Sequence, residues 1–129
     1  MKISGRFQIL MGEPEMLFLW TNLLEKARSK SLNKDEKRFF EKWSKSLELL
    51  SGNPGHPGLQ SHEIEDLSRK YGVKVWQSYL ENRVSGARRM FWTYGPDKGK
   101  ITILGVENHP NTSKRTAYKR IKLDSFPER

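Results

Sequence analysis

Two arginines and a histidine stand at the ends of two apolar segments that would pair as strands. Arg88 and Arg89 open the segment RRMFWTY, and His109 follows the segment ITILGVEN. Arginine presents a planar set of N–H donors that matches phosphate oxygens, and histidine exchanges protons near neutral pH. Because RNA carries its own nucleophile, the 2′-hydroxyl, such residues suit phosphodiester cleavage, which needs only proton transfer and charge neutralisation.

The alternation of side chains along a strand places Arg88 and Arg89 on opposite faces of the sheet. Met90 and Trp92 share one face and suit packing beneath helices, so Arg89 falls on the other face. An unpaired charge is costly to bury, and we therefore expect Arg89 to lie exposed on an open sheet face.

The second strand of the pair decides whether His109 joins Arg89. By the same alternation, one side carries Ile101, Ile103, Gly105, Glu107 and His109. If the hairpin loop GPDKGK contributes an odd number of unpaired residues, Arg89 and His109 project from the same face. The alternative is that Arg89 is a solvated edge charge and His109 merely ends a strand.

The spacing of apolar residues and the positions of glycines and prolines predict the remaining helices and strands. Apolar spacing predicts a strand within 2–11 and helices over about 15–31 and 34–51, the second capped by Asn33 with Glu36. Glycines and prolines at 51–58 end the helices. The chain then predicts four strands, over roughly 60–67, 73–80, 87–94 and 101–108. The fold class is α+β, with an N-terminal helical hairpin on one face of a small antiparallel sheet. We expect one domain over 1–129, with a basic C-terminal extension from about 111.

The amino-acid composition limits the classes of partner and cofactor that the protein is expected to bind. The net charge of +9 and the pI of about 9.9 predict attraction to a polyanion; the alternative is that the charge serves solubility alone. The absence of cysteine excludes disulfides and thiolate metal sites and fits a reducing cytoplasm. His62 and Glu63 begin like the zinc motif H-E-x-x-H, but Asp66 stands where the second histidine belongs. We expect a soluble, cytoplasmic protein without metal or cofactor.

The order and spacing of these pieces resemble the RelE/ParE superfamily of bacterial type II toxins. The resemblance covers roughly residues 55–110 and is strongest in RRMFWTYGPDKGKITILGVENHP. It implies a RelE-like fold, metal-independent cleavage of messenger RNA on the ribosome, and a cognate antitoxin that neutralises the protein. Arg89 matches the arginine that contacts the scissile phosphate, and His109 matches a proton-transferring histidine. Further catalytic candidates implied by position are Arg83, His62, Glu63 and Glu65.

Basic residues near these positions complete the predicted RNA-binding set, namely Arg88, Lys98, Lys100, Lys119 and Arg120. The chain departs from some relatives at Pro110, where they carry a catalytic tyrosine. Two alternatives therefore stay open: a ParE-type inhibitor of DNA gyrase, which needs no nuclease site, and a catalytically degenerate relative that only binds nucleic acid.

Overall fold

The helices and strands follow one another in an order that begins with a strand and a helical pair. A computed structural model describes residues 6–81, 87–108, 118 and 120–127. Within these residues the strands are β1 Gln8–Met11, β2 His62–Glu63, β3 Trp76–Tyr79, β4 Arg88–Tyr94 and β5 Lys100–Asn108. The helices are α1 Glu15–Arg28, α2 Lys34–Gly52 and α3 Glu65–Tyr71, with a 3₁₀ turn at Pro57–Leu59. The α+β class is confirmed.

The described strands form one mixed sheet in the order β1-β5-β4-β3-β2. The pairs β2–β3, β3–β4 and β4–β5 are antiparallel, but β1 runs parallel to β5. The expectation of a purely antiparallel sheet is therefore wrong at this edge. The chain between β1 and β5 includes the helical pair and three strands, so no tight hairpin forces the two to run in opposite directions.

The α1–α2 hairpin forms as its capping residues predict. The Asn33 side chain accepts from the backbone N–H of Glu36 at 2.8 Å, and Glu36 accepts from the backbone N–H of Asn33 at 3.0 Å. This reciprocal cap satisfies two N–H groups that the first helical turn leaves without partners. Lys26 near the end of α1 also donates to Glu36 at 2.6 Å, which links the two helices. The predicted helix over 15–31 ends earlier, at Arg28.

One sheet face packs against this hairpin, as expected. The apolar cluster there draws on both helices, on the 3₁₀ turn, on Leu80 just after β3 and on the two central strands. Its buried members are Met16, Leu23, Phe39, Trp43, Leu47, Leu50, Leu59, Leu80, Met90, Trp92, Ile101 and Ile103.

The opposite face is covered too, and here two expectations are wrong. Residues 65–67, predicted as part of a strand over 60–67, belong to α3. Acidic Glu65 and Asp66 open this helix, and Gly72 in the left-handed conformation follows its end, an arrangement that favours a short helix. The face is not left open, because α3 and residues near the C-terminus pack on it. Its buried cluster is Ile64, Leu67, Val75, Phe91, Leu104 and Ile121.

A β-bulge in β5 sets which residues share a face with Arg89. Tyr94 pairs with Ile101, which leaves an even number of residues in the hairpin loop rather than the odd number that we considered. Further along, Phe91 pairs with Gly105 whereas Trp92 pairs with Ile103, so Leu104 is the extra residue. The bulge moves Gly105 and Glu107 to the face opposite Ile101 and Ile103, and it places Glu107 across from Arg89.

Within the described ranges, none of the helices combines the length and the apolar character needed to cross a bilayer.

Candidate anion-binding site

Arg89 is buried beneath the second covering layer and stacks on a tyrosine. Only 5% of the residue is exposed. Its guanidinium carbon lies 3.5 Å from the centroid of the Tyr79 ring, and the two residues are direct cross-strand partners in β3 and β4. The face on which Arg89 lies was predicted correctly, but its exposure was not, because α3 and the C-terminal residues cover that face.

The charge of Arg89 has few partners in the described part of the chain. Its Nε and Nη1 atoms are buried and make no hydrogen bond. No described carboxylate lies within 4.0 Å of it, although Glu107 stands opposite on β5. Burial lowers the pKa of Arg89, and electrostatic interaction with the neighbouring Tyr79 and Tyr118 partly opposes this decrease. Since buried charges are normally paired, this guanidinium has unused capacity for an anion.

Tyr118 brings a hydroxyl to the same place. It donates to the side-chain oxygen of Gln77 at 3.3 Å, and its ring meets the Phe91 ring edge to face at a centroid distance of 6.4 Å. Burial raises the pKa of Tyr118, and the charge of Arg89 opposes this rise. The phenol therefore stays protonated at neutral pH and can donate a hydrogen bond.

The site can bind an anion more readily than it can remove a proton. Arg89 supplies a permanent positive charge in surroundings that are poorly hydrated, where electrostatic interactions are stronger than in water. Tyr118 supplies a neutral donor. In the described ranges no carboxylate or histidine is hydrogen-bonded or ion-paired to Arg89.

The acidic and histidine candidates that the structure describes, His62, Glu63 and Glu65, do not converge on Arg89. His62 is exposed on β2, with its Nδ1 atom 3.2 Å from the carbonyl of Gln60. It pairs with Gln77, so it lies on the Arg89 face but two strands away. Glu63 pairs with Trp76 and faces the helical side. Glu65 is exposed at the start of α3, 3.9 Å from Arg69.

Among the predicted RNA-binding residues, Arg88 is held by the fold. Its guanidinium lies 3.4 Å from a carboxylate oxygen of Glu81 and 4.4 Å from the centroid of the Phe39 ring. Glu81 is buried and also accepts from Arg38 at 3.1 Å. Arg88 therefore links the start of β4 to α2.

The remaining basic candidates that the structure describes are exposed or paired with another residue. Lys98 is exposed in the β4–β5 loop, Lys100 lies 3.2 Å from Asp97, and Arg120 is exposed. Arg83, His109 and Lys119 lie outside the described residues. No group of three or more potential metal ligands occurs among the described side chains.

Sequence reasoning missed the two tyrosines and the glutamine. Tyr79 and Gln77 had a usable signal, since pairing the two predicted strands over 73–80 and 87–94 brings Tyr79 opposite Arg89. Tyr118 had no such signal, because the sequence around it does not indicate that residues near the C-terminus fold back over the sheet.

Comparisons of the chain with protein-family models, with curated proteins and with solved structures find no significant match.

Proposed function

We propose that the protein is a toxin-like, metal-independent endoribonuclease that cleaves messenger RNA, of the kind found in the RelE branch of the RelE/ParE superfamily. The observation that carries the proposal is Arg89, a buried guanidinium with two unpartnered nitrogens and no described counter-ion. A phosphodiester is the anion that fits a protein of net charge +9.

The reaction proposed needs no cofactor. The 2′-oxygen attacks the adjacent phosphorus, the bond to the 5′-oxygen breaks, and a 2′,3′-cyclic phosphate and a 5′-hydroxyl are the products. A base takes the proton of the 2′-hydroxyl, and an acid returns a proton to the leaving 5′-oxygen. Arg89 stabilises the extra negative charge of the phosphorane, and the Tyr118 hydroxyl would have to release Gln77 before it could donate to a phosphate oxygen. The resemblance assigns proton transfer to His109.

The first experiment separates nuclease activity from gyrase inhibition. After induction of the protein in cells, primer extension on messenger RNA should reveal cuts within translated frames. Intact transcripts together with loss of DNA supercoiling would favour the gyrase inhibitor instead. Growth arrest is not informative, because both activities cause it.

The second experiment tests the proton carrier. In the purified protein, His109→Ala should slow cleavage by about 10²–10⁴-fold, the range for lost acid–base help. His62→Ala is the matched control, since His62 is exposed and distant from Arg89 in the sheet. Activity of His109→Ala equal to that of wild type would remove His109 from the mechanism.

A binding protein without nuclease activity is the second candidate. It is favoured by the surroundings of Arg89, where the Tyr79 ring stacks on the guanidinium and no described general base is hydrogen-bonded or ion-paired to it. RNA binding by purified protein that leaves the RNA intact, with ribosomes present or absent, would support this candidate.

We also propose an acidic antitoxin as partner. A surplus of positive charge favours a partner with complementary charge, and a toxin requires restraint in its host. The partner need not lie on the Arg89 face, since α3 already covers much of it. An adjacent short reading frame encoding an acidic protein that co-purifies would support the proposal, and harmless expression without such a neighbour would count against it.

A further inference from the structure

An aromatic cluster whose outermost ring, Tyr94, is exposed lies at the hairpin end of the sheet, on the face opposite Arg89. Tyr94 ends β4 with 47% of its surface exposed. Its ring centroid lies 5.6 Å from that of Phe7, 5.2 Å from that of Trp92 and 6.4 Å from that of Trp76. These four side chains are called the aromatic platform below.

The platform is held in place from beneath. Trp92 is fully buried in the core under the α1–α2 hairpin, and its indole N–H donates to the hydroxyl of Ser78 at 2.8 Å. Trp76 stacks on Trp92 with ring planes 17° apart and a centroid distance of 5.8 Å. A ring supported in this way loses little conformational freedom when a second ring stacks on it, which favours binding.

The rim of the platform is basic. Lys98 lies in the loop that follows Tyr94 and is exposed, and Arg6 precedes Phe7 and is exposed. Lys74 is exposed and adjoins β4, because its carbonyl accepts from the Thr93 hydroxyl at 2.7 Å. Asp97 is the acid of the loop and lies 3.2 Å from Lys100. The exposed or partly exposed residues that neighbour the platform along the chain or across the sheet thus include three cations, Arg6, Lys74 and Lys98, and the acids Asp97 and Glu63.

We infer that the aromatic platform binds the bases of single-stranded nucleic acid by stacking, while the basic rim holds the phosphates on either side. Supported aromatic side chains within a basic surface are the combination by which proteins bind single strands with little sequence preference. A duplex is excluded as ligand, since its bases are already stacked and paired. This inference shares with the proposed function only the RNA ligand. The platform lies on the sheet face opposite the Arg89 site.

Glu63 adds a polar group beside the platform. It is the cross-strand partner of Trp76 and is partly exposed. A carboxylate next to a stacked base can accept from an exocyclic amino group, as glutamate does from cytosine. Glu63, considered from sequence as a catalytic residue, is thus better placed to contact a base than to contact Arg89.

The test measures binding separately from cleavage. The probe is a labelled 2′-O-methyl oligonucleotide of roughly eight nucleotides, within the site size of such surfaces, and it cannot be cleaved because the 2′-oxygen is blocked. An abasic oligonucleotide with the same number of phosphates is the matched ligand. Fluorescence anisotropy of the full-length protein gives both affinities and their salt dependence.

We expect Tyr94→Ala and Tyr94→Leu each to weaken binding of the base-containing probe by about 10-fold and to leave abasic binding unchanged. Tyr94→Phe, which keeps the ring, should bind as wild type does. Phe18→Ala is the control, because Phe18 is 70% exposed on α1 and lies outside the platform. Changing Lys74 and Lys98 together to Gln should reduce the salt dependence for both probes, by a slope of about 1.4.

Three results would overturn the inference: equal binding of the two probes by wild type, equal weakening of both by Tyr94→Ala, or equal affinity for a duplex. Any of these would mean that the platform binds something other than unstacked bases, such as a protein. Normal probe binding with no cleavage of messenger RNA, with ribosomes present or absent, would reject the nuclease and leave this inference standing.

Discussion

The guanidinium carbon of Arg89 lies 3.5 Å from the centroid of the Tyr79 ring, and this contact replaces the carboxylate that a buried arginine would normally have. A ring face attracts a cation without neutralising it. The fold therefore stabilises the position of the charge without neutralising it. This relationship is the reason for regarding Arg89 as functional despite its burial.

Replacing Arg89 by Met should separate function from stability. An apolar side chain of similar length removes an uncompensated buried charge, so the free energy of unfolding should stay constant or rise by about 1 kcal/mol. RNA cleavage should fall by about 10²-fold or more, the scale for one lost transition-state donor. Urea unfolding and a gel cleavage assay measure the two effects.

Two further variants sharpen this comparison. Arg89→Ala should cost stability, about 2 kcal/mol or more, since it leaves a cavity in a covered site. Arg28→Ala, at an exposed arginine that ends α1, should change neither property. Full activity of folded Arg89→Met would show that the arginine has no part in the reaction.

Glu81 should matter more for stability than either arginine that it binds. Glu81→Gln weakens interactions with Arg38 and Arg88 at a buried position, and we expect a loss of about 1–3 kcal/mol. Arg38→Ala should cost only about 0–1 kcal/mol, because that side chain is 59% exposed and its pair is largely solvated. Thermal unfolding of the two variants provides the comparison, and a smaller effect at Glu81 would contradict it.

Glu36 should make stability depend on pH in the acid range. Its pKa lies below the ordinary value, chiefly because Lys26 donates to it and secondarily because the backbone of Asn33 does. The carboxylate therefore stabilises the fold above the unfolded-state pKa of about 4.3, and this contribution is lost as pH falls through the folded-state pKa. Glu36→Gln retains an acceptor for the cap and removes the charge. The difference in unfolding free energy between the two proteins should shrink on acidification, and a constant difference would refute the assignment.

Asp124 should stabilise the start of α1. Its carboxylate accepts from the backbone N–H of Glu15 at 3.2 Å and of Met16 at 2.6 Å. We expect Asp124→Ala to lower the free energy of unfolding by about 1 kcal/mol, the usual loss for a helix cap. Asp124→Asn, which keeps one acceptor oxygen, should lose less. Equal losses in the two variants would indicate that charge rather than hydrogen bonding is responsible.

Local signals predicted the elements whose determinants are local. The Asn33–Glu36 cap and the apolar spacing that follows it indicated α2, and alternation in RRMFWTY put Arg89 opposite Met90 and Trp92. By contrast, α3 begins without a side-chain cap hydrogen bond, and its short sequence does not differ clearly from a strand.

The burial of Arg89 was not predictable, because it depends on partners far along the chain. Tyr118 and Ile121 come from near the C-terminus, and the bulge at Leu104 that fixes the register has no sequence mark of its own. For the same reason the site as described, an arginine between two tyrosines, differs from the open basic face that the sequence suggested.

The cap on α1 also constrains the order in which the chain can fold during synthesis. Residues 124 and 125 pair with the region of Gly12 and Glu13, where a β-carbon on Gly12 would lie 2.8 Å from that of Asp124. A nascent chain in which α1 and α2 have emerged therefore lacks this cap until Asp124, which lies far beyond the end of α2 at Gly52, has emerged as well. On the ribosome the helical hairpin should therefore fray at that end until residue 125 has left the exit tunnel, and a chain stalled earlier should be cleaved there by proteases.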